Sequence, residues 1–245
     1  MLVAGFPSAV YGTNVYVVAP SAGEECIIVD PGIEVSDGVD QILREHQLKP
    51  VAVILTHGHI DHIFSVVPVA GSRGLSAYIH PADREMLADP MKGLSPEGSE
   101  LFGGRLQWQE PDNVELLEDG RPITLAGLEL TVDHAPGHTP GSVMFRLAGA
   151  PHAVSDVDVV PTQTMLSGDV LFAGSIGRTD LPGGSHSQML DSLRTRVLPL
   201  DDDILVLPGH GAATTIGRER ATNPFLRQLI TEDHEPQSPA PSRGL

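Results

Sequence analysis

Short apolar runs alternate with amphipathic segments along most of the chain. Runs of aliphatic and β-branched residues bounded by Gly, Pro or polar residues predict strands. These runs are residues 14–19, 26–30, 51–55, 77–80, 123–125, 128–132, 142–147, 165–171 and 203–207. Three other segments have apolar residues at helical spacing and predict helices at 36–47, 81–88 and 188–197. Strands interrupted by helices in both halves favour a layered α/β or α+β architecture.

Two segments do not fit that alternation. Residues 149–163 are acidic and irregular, which predicts a long surface loop. Residues 235–245 read EPQSPAPSRGL, a composition typical of a disordered tail. The expected organisation is one domain over residues 1–234 followed by that tail.

Composition and charge narrow the functional classes. The 245 residues suffice to bury one sizeable hydrophobic core. The 15 basic and 32 acidic residues leave a net charge of −17, which disfavours binding to nucleic acid or to anionic membranes. The one cysteine, Cys26, excludes an internal disulfide and a thiolate metal cluster. Neither a signal peptide nor an apolar run of membrane-spanning length is recognisable, so we expect a cytoplasmic protein.

A histidine-rich motif directly follows an apolar run that is typical of a strand buried on both faces. Residues 56–62 read Thr-His-Gly-His-Ile-Asp-His. Gly58 permits a tight backbone, so the flanking histidines can point to one ion and the following Asp-His pair to a second. Imidazole and carboxylate are ligands of Zn²⁺, Fe or Mn²⁺ rather than of Ca²⁺. The alternative, a solvated loop that is merely rich in histidine, is disfavoured by the position at a strand end. The candidate ligands of this motif are His57, His59, Asp61 and His62.

Further polar residues lie in Gly-rich turns at predicted strand ends. They are His138, Asp169, Asp180 and His210. Singly, each is more often a turn or capping residue than a ligand. Together, three of them complete two ligand sets, because a carboxylate has two oxygens and can bridge two cations. The sets are His57, His59 and His138, and Asp61, His62 and His210, with Asp169 shared.

Three neighbouring residues carry other expectations. His134 either orients a ligand or simply ends a strand, and we favour the strand end. Arg178 and Asp180 either touch substrate or form an ion pair that braces the Asp169 loop, and we favour the ion pair.

The motifs resemble those of the metallo-β-lactamase-fold hydrolases, and within them the short bacterial type of the glyoxalase II-like (hydroxyacylglutathione hydrolase) branch. The matching pieces, in family order, are residues 56–62, 136–142, 167–180, 207–211 and 217–226. The resemblance implies an αββα sandwich with the metal site at the edge between two sheets. His59 disfavours the diiron flavoprotein branch, which has Glu there. Asp169 disfavours antibiotic hydrolysis, because true zinc β-lactamases usually have Cys at that position.

The resemblance also implies a reaction. It is that of a dinuclear metallohydrolase that cleaves a thioester of a small thiol, similar to an S-2-hydroxyacylglutathione, by means of a metal-bridging hydroxide. Two divalent ions are implied, zinc first and iron or manganese as alternatives. Asp61 and Asp169 are the expected catalytic residues, Asp61 as a ligand that orients the hydroxide and Asp169 as the bridge. The expected partner is a small-molecule acyl-thiol.

Two other functions stay open at this point. Persulfide dioxygenases resemble the family and keep much the same His/Asp set, but use one iron. A non-catalytic metal-binding or regulatory domain is the third reading. The thiol carrier is open as well. Glyoxalase II enzymes with a large C-terminal helical domain use its basic residues to hold glutathione, whereas only a short segment follows His210 here.

Overall fold

The computed structural model describes residues 1–102, 108–152 and 160–234. The strands within those ranges are β1 (Leu2–Pro7), β2 (Asn14–Ala19), β3 (Glu25–Val29), β4 (Lys49–Ile54), β5 (Ser76–Ile79), β6 (Val114–Leu116), β7 (Ile123–Leu125), β8 (Leu128–His134), β9 (Val143–Ala148), β10 (Gln163–Gly168), β11 (Leu171–Phe172), β12 (Ser175–Ile176), β13 (Ile204–Pro208) and β14 (Thr214–Thr215). The α-helices are α1 (Ser36–Glu45), α2 (Ile60–Ile63), α3 (Val66–Ala70), α4 (Arg84–Ala88), α5 (Pro96–Phe102), α6 (His186–Ser192), α7 (Ile216–Thr222) and α8 (Pro224–His234).

Most of the strands form two six-stranded sheets. The first has the order β1-β2-β3-β4-β5-β6 and is parallel from β3 to β6. The second has the order β14-β13-β10-β9-β8-β7, and β10 and β13 are parallel neighbours in it. The strands β11 and β12 pair separately as a short hairpin. Parallel neighbours bring their carboxyl ends to one edge of a sheet, where polar loop residues can meet.

Three clusters of buried apolar side chains separate four layers. The first cluster packs the outer face of the first sheet against α1, α2 and α3 and includes Val39 and Val53. The second fills the space between the sheets and includes Ile54 and Phe145. The third packs the second sheet against α6, α7 and α8 and includes Met189. The expected αββα sandwich, of α/β (α+β) class, is confirmed.

The strand before the histidine motif is buried on both faces, as its composition predicts. Val53 and Leu55 pack in the outer cluster, whereas Ile54 packs between the sheets. Successive side chains of a strand point to opposite faces, so this apolar run is held by both layers. The loop that follows therefore starts from a rigid support.

Most predicted elements are present with shifted ends, and the differences have local causes. The edge strands β1 and β6 were not predicted, because their residues are half-buried or exposed and so do not form an apolar run. The strand predicted at 165–171 ends at Gly168, whose φ of +49° turns the chain and takes Asp169 out of the sheet. The helix predicted at 188–197 begins earlier, at His186, and its last turn, Leu193–Val197, widens into a π-helix.

The expectations about the C-terminal tail, most of the 149–163 loop and the number of domains stay predictions. The tail at 235–245, and residues 153–159 of the predicted surface loop at 149–163, lie outside the described residues. The single-domain organisation over 1–234 stays a prediction. No helix in the described ranges combines the length and the apolar character needed to traverse a bilayer.

Candidate metal centre

The structure brings the sequence-predicted ligand residues together at one edge of the sandwich. From the first sheet, the loop after β4 and the helix α2 contribute His57, His59, Asp61 and His62. The second sheet contributes His138 from the β8–β9 turn, Asp169 from the end of β10 and His210 from the end of β13. Gly168 of β10 pairs with Pro208 of β13, so these parallel strands deliver Asp169 and His210 side by side.

Three imidazoles form the buried part of this cluster. Nε2 of His138 lies 2.8 Å from Nδ1 of His59 and 3.2 Å from Nε2 of His57. All three side chains are almost completely shielded from solvent. Burial lowers the pKa of His57 well below its usual value and that of His59 to about 3. Both rings are therefore neutral at pH 7, which is the form that binds metal.

Asp61, His62 and His210 form a second group that is more open to solvent. Nε2 of His210 lies 3.3 Å from Nε2 of His62 and 3.3 Å from Oδ2 of Asp61. Burial acts to lower the pKa of His62, but the carboxylates of Asp61 and Asp169 outweigh it and hold this pKa well above its usual value. Without a metal ion, a proton therefore partly neutralises the acidic side of the group.

Asp169 lies between the two groups. Its Oδ2 atom is 3.5 Å from Nε2 of His138 and 3.5 Å from Nε2 of His210. Its Oδ1 atom is 3.4 Å from Nε2 of His62. Burial alone raises the pKa of Asp169, but the adjacent His62 more than compensates and lowers it, which favours the carboxylate. One carboxylate thus reaches both groups, as a bridging ligand must.

Hydrogen bonds on the outer ring nitrogens leave the inner nitrogens facing the cluster. Nδ1 of His138 donates to the carbonyl oxygen of Arg178 at 2.7 Å, and Nδ1 of His210 donates to that of Tyr11 at 3.2 Å. A carbonyl oxygen only accepts, so Nδ1 of each ring carries a hydrogen, and Nε2, which faces the cluster, is the nitrogen that can bind a metal ion. Such partners orient metal-binding histidines.

Asp30 orients the rings that come from the first sheet. Its carboxylate accepts hydrogen bonds from Nδ1 of His62 at 3.0 Å and from the Thr56 hydroxyl at 2.6 Å and backbone N–H at 2.8 Å. The Thr56 hydroxyl oxygen in turn accepts from Nδ1 of His57 at 3.1 Å. Asp30 has a φ of +48°, a left-handed conformation that is uncommon outside glycine and is found at functional sites.

The residues present fit divalent metal ions. In the neutral rings of His57 and His138 the Nε2 lone pairs face each other at 3.2 Å, and a cation between them would relieve their repulsion. Nε2 of His59 and Oδ1 of Asp169 are buried and have no hydrogen-bond partner among the described residues. Imidazole nitrogens and carboxylate oxygens suit Zn²⁺, Fe or Mn²⁺. The residues whose ligand atoms lie close enough to share an ion are His57, His59 and His138; His57, His62 and Asp169; and Asp61, His62 and His210.

Two residues at the start of β2 and just before it, Asn14 and Thr13, support the more open group. The Thr13 hydroxyl donates to Oδ2 of Asp61 at 2.8 Å. The Asn14 side chain donates to the carbonyl oxygens of Pro208 and Gly211, which lie on either side of His210, at 3.0 and 2.9 Å. Neither residue could be predicted from the sequence, because a lone Thr-Asn pair carries no local signal for partners so far along the chain.

Asp83 joins the two turns that carry the buried histidines. It is fully buried, and its Oδ2 atom accepts from the backbone N–H of Gly58 at 2.9 Å and from the Thr139 hydroxyl at 2.6 Å. Its Oδ1 atom accepts from the backbone N–H of Gly141 at 2.7 Å. Burial raises the pKa of Asp83, although these three donors oppose the shift. Asp83 likewise carries no local signal in the sequence that predicts this role.

Two glycines in the site are required for close approach. Gly58 does not have a positive φ, so its role does not depend on a left-handed backbone. A Cβ at Gly58 would lie 2.8 Å from Cβ of Met86, so the residue is needed for packing. A Cβ at Gly209 would overlap Oδ1 of Asp169. A side chain at Gly58 would therefore displace Met86, and one at Gly209 would displace Asp169.

A cavity of about 520 Å³ opens above the cluster. Its floor includes Asp61, Asp169 and His210. Its walls are mainly apolar and include Ile60, Leu94, Phe172, Ile176 and Leu181. A small substrate can therefore place a polar reacting group at the cluster and an apolar part against the walls.

Two expectations about neighbouring residues can be compared with the structure. His134 ends β8, as expected, and its Nε2 atom also contacts the carbonyl oxygen of Pro140 at 2.8 Å, in the turn that holds His138. The expected ion pair is present, with Nε and Nη2 of Arg178 donating to the two carboxylate oxygens of Asp180 at 2.7 and 2.8 Å. Arg178 lines the cavity as well.

Comparison with known proteins gives a consistent set of similarities. A family model described as the Metallo-beta-lactamase superfamily matches residues 9–155. An uncharacterized protein of Mycobacterium tuberculosis is 47% identical over 229 residues, which are 94% of this chain and 99% of that protein. The hydroxyacylglutathione hydrolase GloC of Haemophilus influenzae is 34% identical over 200 residues, which are 81% of this chain and 86% of that protein.

Two solved structures are also similar to this chain over most of its length. The BLEG-1 B3 metallo-beta-lactamase superposes with a TM-score of 0.75 at 34% identity, covering 92% of this chain and 99% of that one. TTHA1623 in a di-iron-bound form superposes with a TM-score of 0.68 at 33% identity, covering 91% of this chain and 100% of that one.

Proposed function

The chain belongs to the metallo-β-lactamase superfamily, whose members are generally hydrolytic metalloenzymes, and we propose that it is a dinuclear hydrolase of small-thiol thioesters. The observation that carries the proposal is the position of Asp169, whose carboxylate reaches both ligand groups beneath an open cavity. Support for the thioester comes from the similarity to GloC, a hydroxyacylglutathione hydrolase, over most of both chains.

Each ligand group has a distinct part in this proposal. The buried histidines would hold one ion and the more open group a second, with Asp169 within reach of both. Divalent ions bound there would lower the pKa of water and polarise a carbonyl group. We propose zinc, with iron or manganese as alternatives, and the di-iron form of TTHA1623 is a reason to assay iron directly.

The reaction consumes one water molecule. Hydroxide adds to the thioester carbonyl carbon, the C–S bond breaks, and its electron pair stays on sulfur, which is protonated to the thiol. A thiolate with a conjugate-acid pKa of about 8.5 leaves without much assistance. Asp61 is fixed by the hydroxyl of Thr13, so its carboxylate is positioned to orient the attacking water. Phe172 and Ile176 of the cavity wall exclude solvent from the acyl group.

The proposal is tested by elemental analysis of the purified protein together with a panel of acyl-thiols. We expect two ions per chain and turnover of at least one thioester. Asp169→Ala is expected to lower the metal content. It should also reduce kcat/KM by at least about 10–100-fold, the loss known for residues that only support metal ligands. Asp191→Ala, which removes an exposed carboxylate, is the control. Full metal content with full turnover in Asp169→Ala would contradict the bridged site.

Two competing activities should be assayed together with the acyl-thiols. One iron per chain, with O₂ uptake on glutathione persulfide and no thioester turnover, would identify a persulfide dioxygenase instead. The similarity to BLEG-1, a B3 metallo-beta-lactamase, calls for a penicillin as a further substrate. Aspartate at position 169 is the reason to expect little penicillin hydrolysis. A kcat/KM for penicillin above those of all thioesters would replace the proposal.

A further inference from the structure

Two histidines outside both ligand groups stack on each other. The rings of His80 and His134 have centroids 4.0 Å apart and planes only 11° from parallel. His80 directly follows β5 of the first sheet, and His134 is the last residue of β8 in the second. Both residues are half-buried. The stacked pair therefore joins the two sheets at the end of β8, where the turn that carries His138 begins.

A hydrogen bond connects this pair to the turn of a candidate ligand. Nε2 of His134 lies 2.8 Å from the carbonyl oxygen of Pro140, two residues after His138. A carbonyl oxygen only accepts, so Nε2 of His134 is the donor. The bond closes the turn from the end of β8 to Pro140. It therefore restrains the segment between them, which includes His138.

Neighbouring groups hold His134 in one orientation. Its backbone N–H donates to Oδ1 of Asp119 at 2.9 Å, and Oδ2 of Asp119 accepts from Arg196 at 2.6 Å. The main chain at His134 is thereby fixed, and the nearly parallel ring of His80 restricts rotation of the side chain. A donor that is already held in place loses less conformational entropy when it forms its hydrogen bond.

His80 is itself fixed, and its ring is neutral. Nδ1 of His80 accepts from the backbone N–H of Ala82 at 3.3 Å, which caps the short 3₁₀-helix Pro81–Asp83. Burial, and after it the facing ring of His134, lower the pKa of His80 to about 4, although Asp119 opposes the shift. At pH 7 the ring of His80 therefore carries no charge that would repel His134.

From these observations we infer that His134 is a positioning residue for His138 and that His80 assists it. The ring of His80 holds the side chain of His134. The hydrogen bond from His134 to Pro140 then holds the turn, so that Nε2 of His138 stays directed at the buried ligand group. The inference deepens the proposed function and rests on its metal centre, but not on a thioester as the substrate.

Two substitutions of His134 separate the hydrogen bond from the ring. His134→Phe keeps a ring for the stack but cannot donate to Pro140, whereas His134→Gln keeps an N–H donor but has no ring. Calorimetric titration of the metal-free proteins with zinc measures the affinity for the first equivalent. We expect His134→Phe to bind it about 30-fold more weakly, within the range known for residues that support metal ligands. His134→Gln should lose only about fivefold, the size expected of an aromatic pair.

His80→Asn tests the stack from the other side. Asparagine keeps an acceptor for the N–H of Ala82 but has no ring. In the wild-type background this change should weaken zinc binding about fivefold, as in His134→Gln. In the His134→Phe background it should alter the affinity by no more than about twofold, because His80 acts through the donor that is then missing. His186→Asn makes the same change at an exposed histidine and should leave the affinity unchanged.

Two further measurements distinguish positioning from a loss of folded protein. Thermal unfolding of the metal-free proteins should show that every variant is folded at the temperature of the titration. In an NMR titration, the pKa of His80 should rise from about 4 towards its usual value in His134→Gln, because the facing imidazole and the burial that it provides are gone.

The outcomes separate this inference from the proposed function. If His134→Phe binds the first zinc as tightly as wild type, or if His80→Asn weakens binding equally in both backgrounds, the positioning role is wrong while the metal centre stands. If the affinities change as expected but no acyl-thiol is hydrolysed, the positioning role stands and the proposed function fails. If wild type binds no divalent metal ion, both fail.

Discussion

A residue that binds no ion itself links the turns of the three buried histidines. Asp83 receives hydrogen bonds from Gly58, which lies between two of them, and from Thr139 and Gly141, which follow the third. A carboxylate can accept all three because both of its oxygens are acceptors. An amide in its place would turn an N–H₂ group towards the N–H of Gly58 or that of Gly141.

Asp83→Asn is therefore expected to separate the two turns. An unsatisfied donor at this buried position should lower the free energy of unfolding by about 1–3 kcal/mol. The first equivalent of zinc should bind about 10–100-fold more weakly, as for other residues that support metal ligands. Calorimetric titration of the metal-free protein measures this affinity, and thermal unfolding measures the stability.

Asp191→Asn is the matched control for that variant, because it makes the same chemical change at an exposed position. Unchanged affinity for the first equivalent in Asp83→Asn would rule out a positioning role for Asp83.

The candidate ligands could be predicted from the sequence, whereas their supports could not. Ligand candidates such as His57 and His138 lie in Gly-containing turns at the ends of apolar runs, and that combination is visible locally. Thr13 acts through one side-chain hydrogen bond, and Asp30 and Asp83 act through three each, all to residues 25 or more positions away. No local pattern marks such a partner, since it depends on how the two sheets pack.

At the scale of elements, α7 fixes the hairpin that forms part of the cavity wall. Glu219 of α7 is buried and accepts hydrogen bonds from the backbone N–H of Gly174 at 2.7 Å and from the side chains of Thr214 and Asn223 at 2.6 and 2.9 Å. Gly174 lies in the turn between β11 and β12, the strands that carry Phe172 and Ile176.

Glu219→Gln is expected to loosen this hairpin without disturbing the candidate ligands. An amide cannot accept all three hydrogen bonds, so the free energy of unfolding should fall by about 1–3 kcal/mol. KM for the preferred thioester should rise while kcat and metal content change little. Steady-state kinetics and elemental analysis check this, with the exposed Glu232→Gln on α8 as control. A fall in kcat at unchanged KM would contradict the assignment to the cavity wall.

Elements in the centre of the molecule could be predicted, and those at its margins could not. β4 and β13 read as continuous apolar runs because both of their faces are covered. β1 is an edge strand with exposed positions and does not stand out. α2 has four residues, too few for a helical period, and it carries Asp61 and His62 into the cluster.

At the scale of the whole molecule, the candidate centre joins the two sheets. Four of its residues come from the first sheet and its loops, and three come from the second. In the absence of metal only hydrogen bonds and packing hold this edge together. Bound ions would connect strands that are remote in the chain, so binding stabilises the folded state.

Chelation is accordingly expected to lower Tm. At a metal concentration 1,000 times Kd, binding adds about 4 kcal/mol, which corresponds to about 8–16 °C for a chain of this size. Thermal unfolding before and after dialysis against EDTA, with elemental analysis of both samples, measures the shift. The double variant His57→Ala/His59→Ala should show almost none of it. An unchanged Tm after complete removal of metal would argue against a centre that connects the sheets.

The unequal burial of the two ligand groups has a kinetic consequence. His57, His59 and His138 are almost completely shielded from solvent, whereas Asp61 and His210 keep part of their surface in water. An ion held by the more open group would bind last and dissociate first. At low metal concentration, part of the protein would therefore hold one ion only. The total turnover rate of the protein would then rise gradually with the concentration of free metal ion.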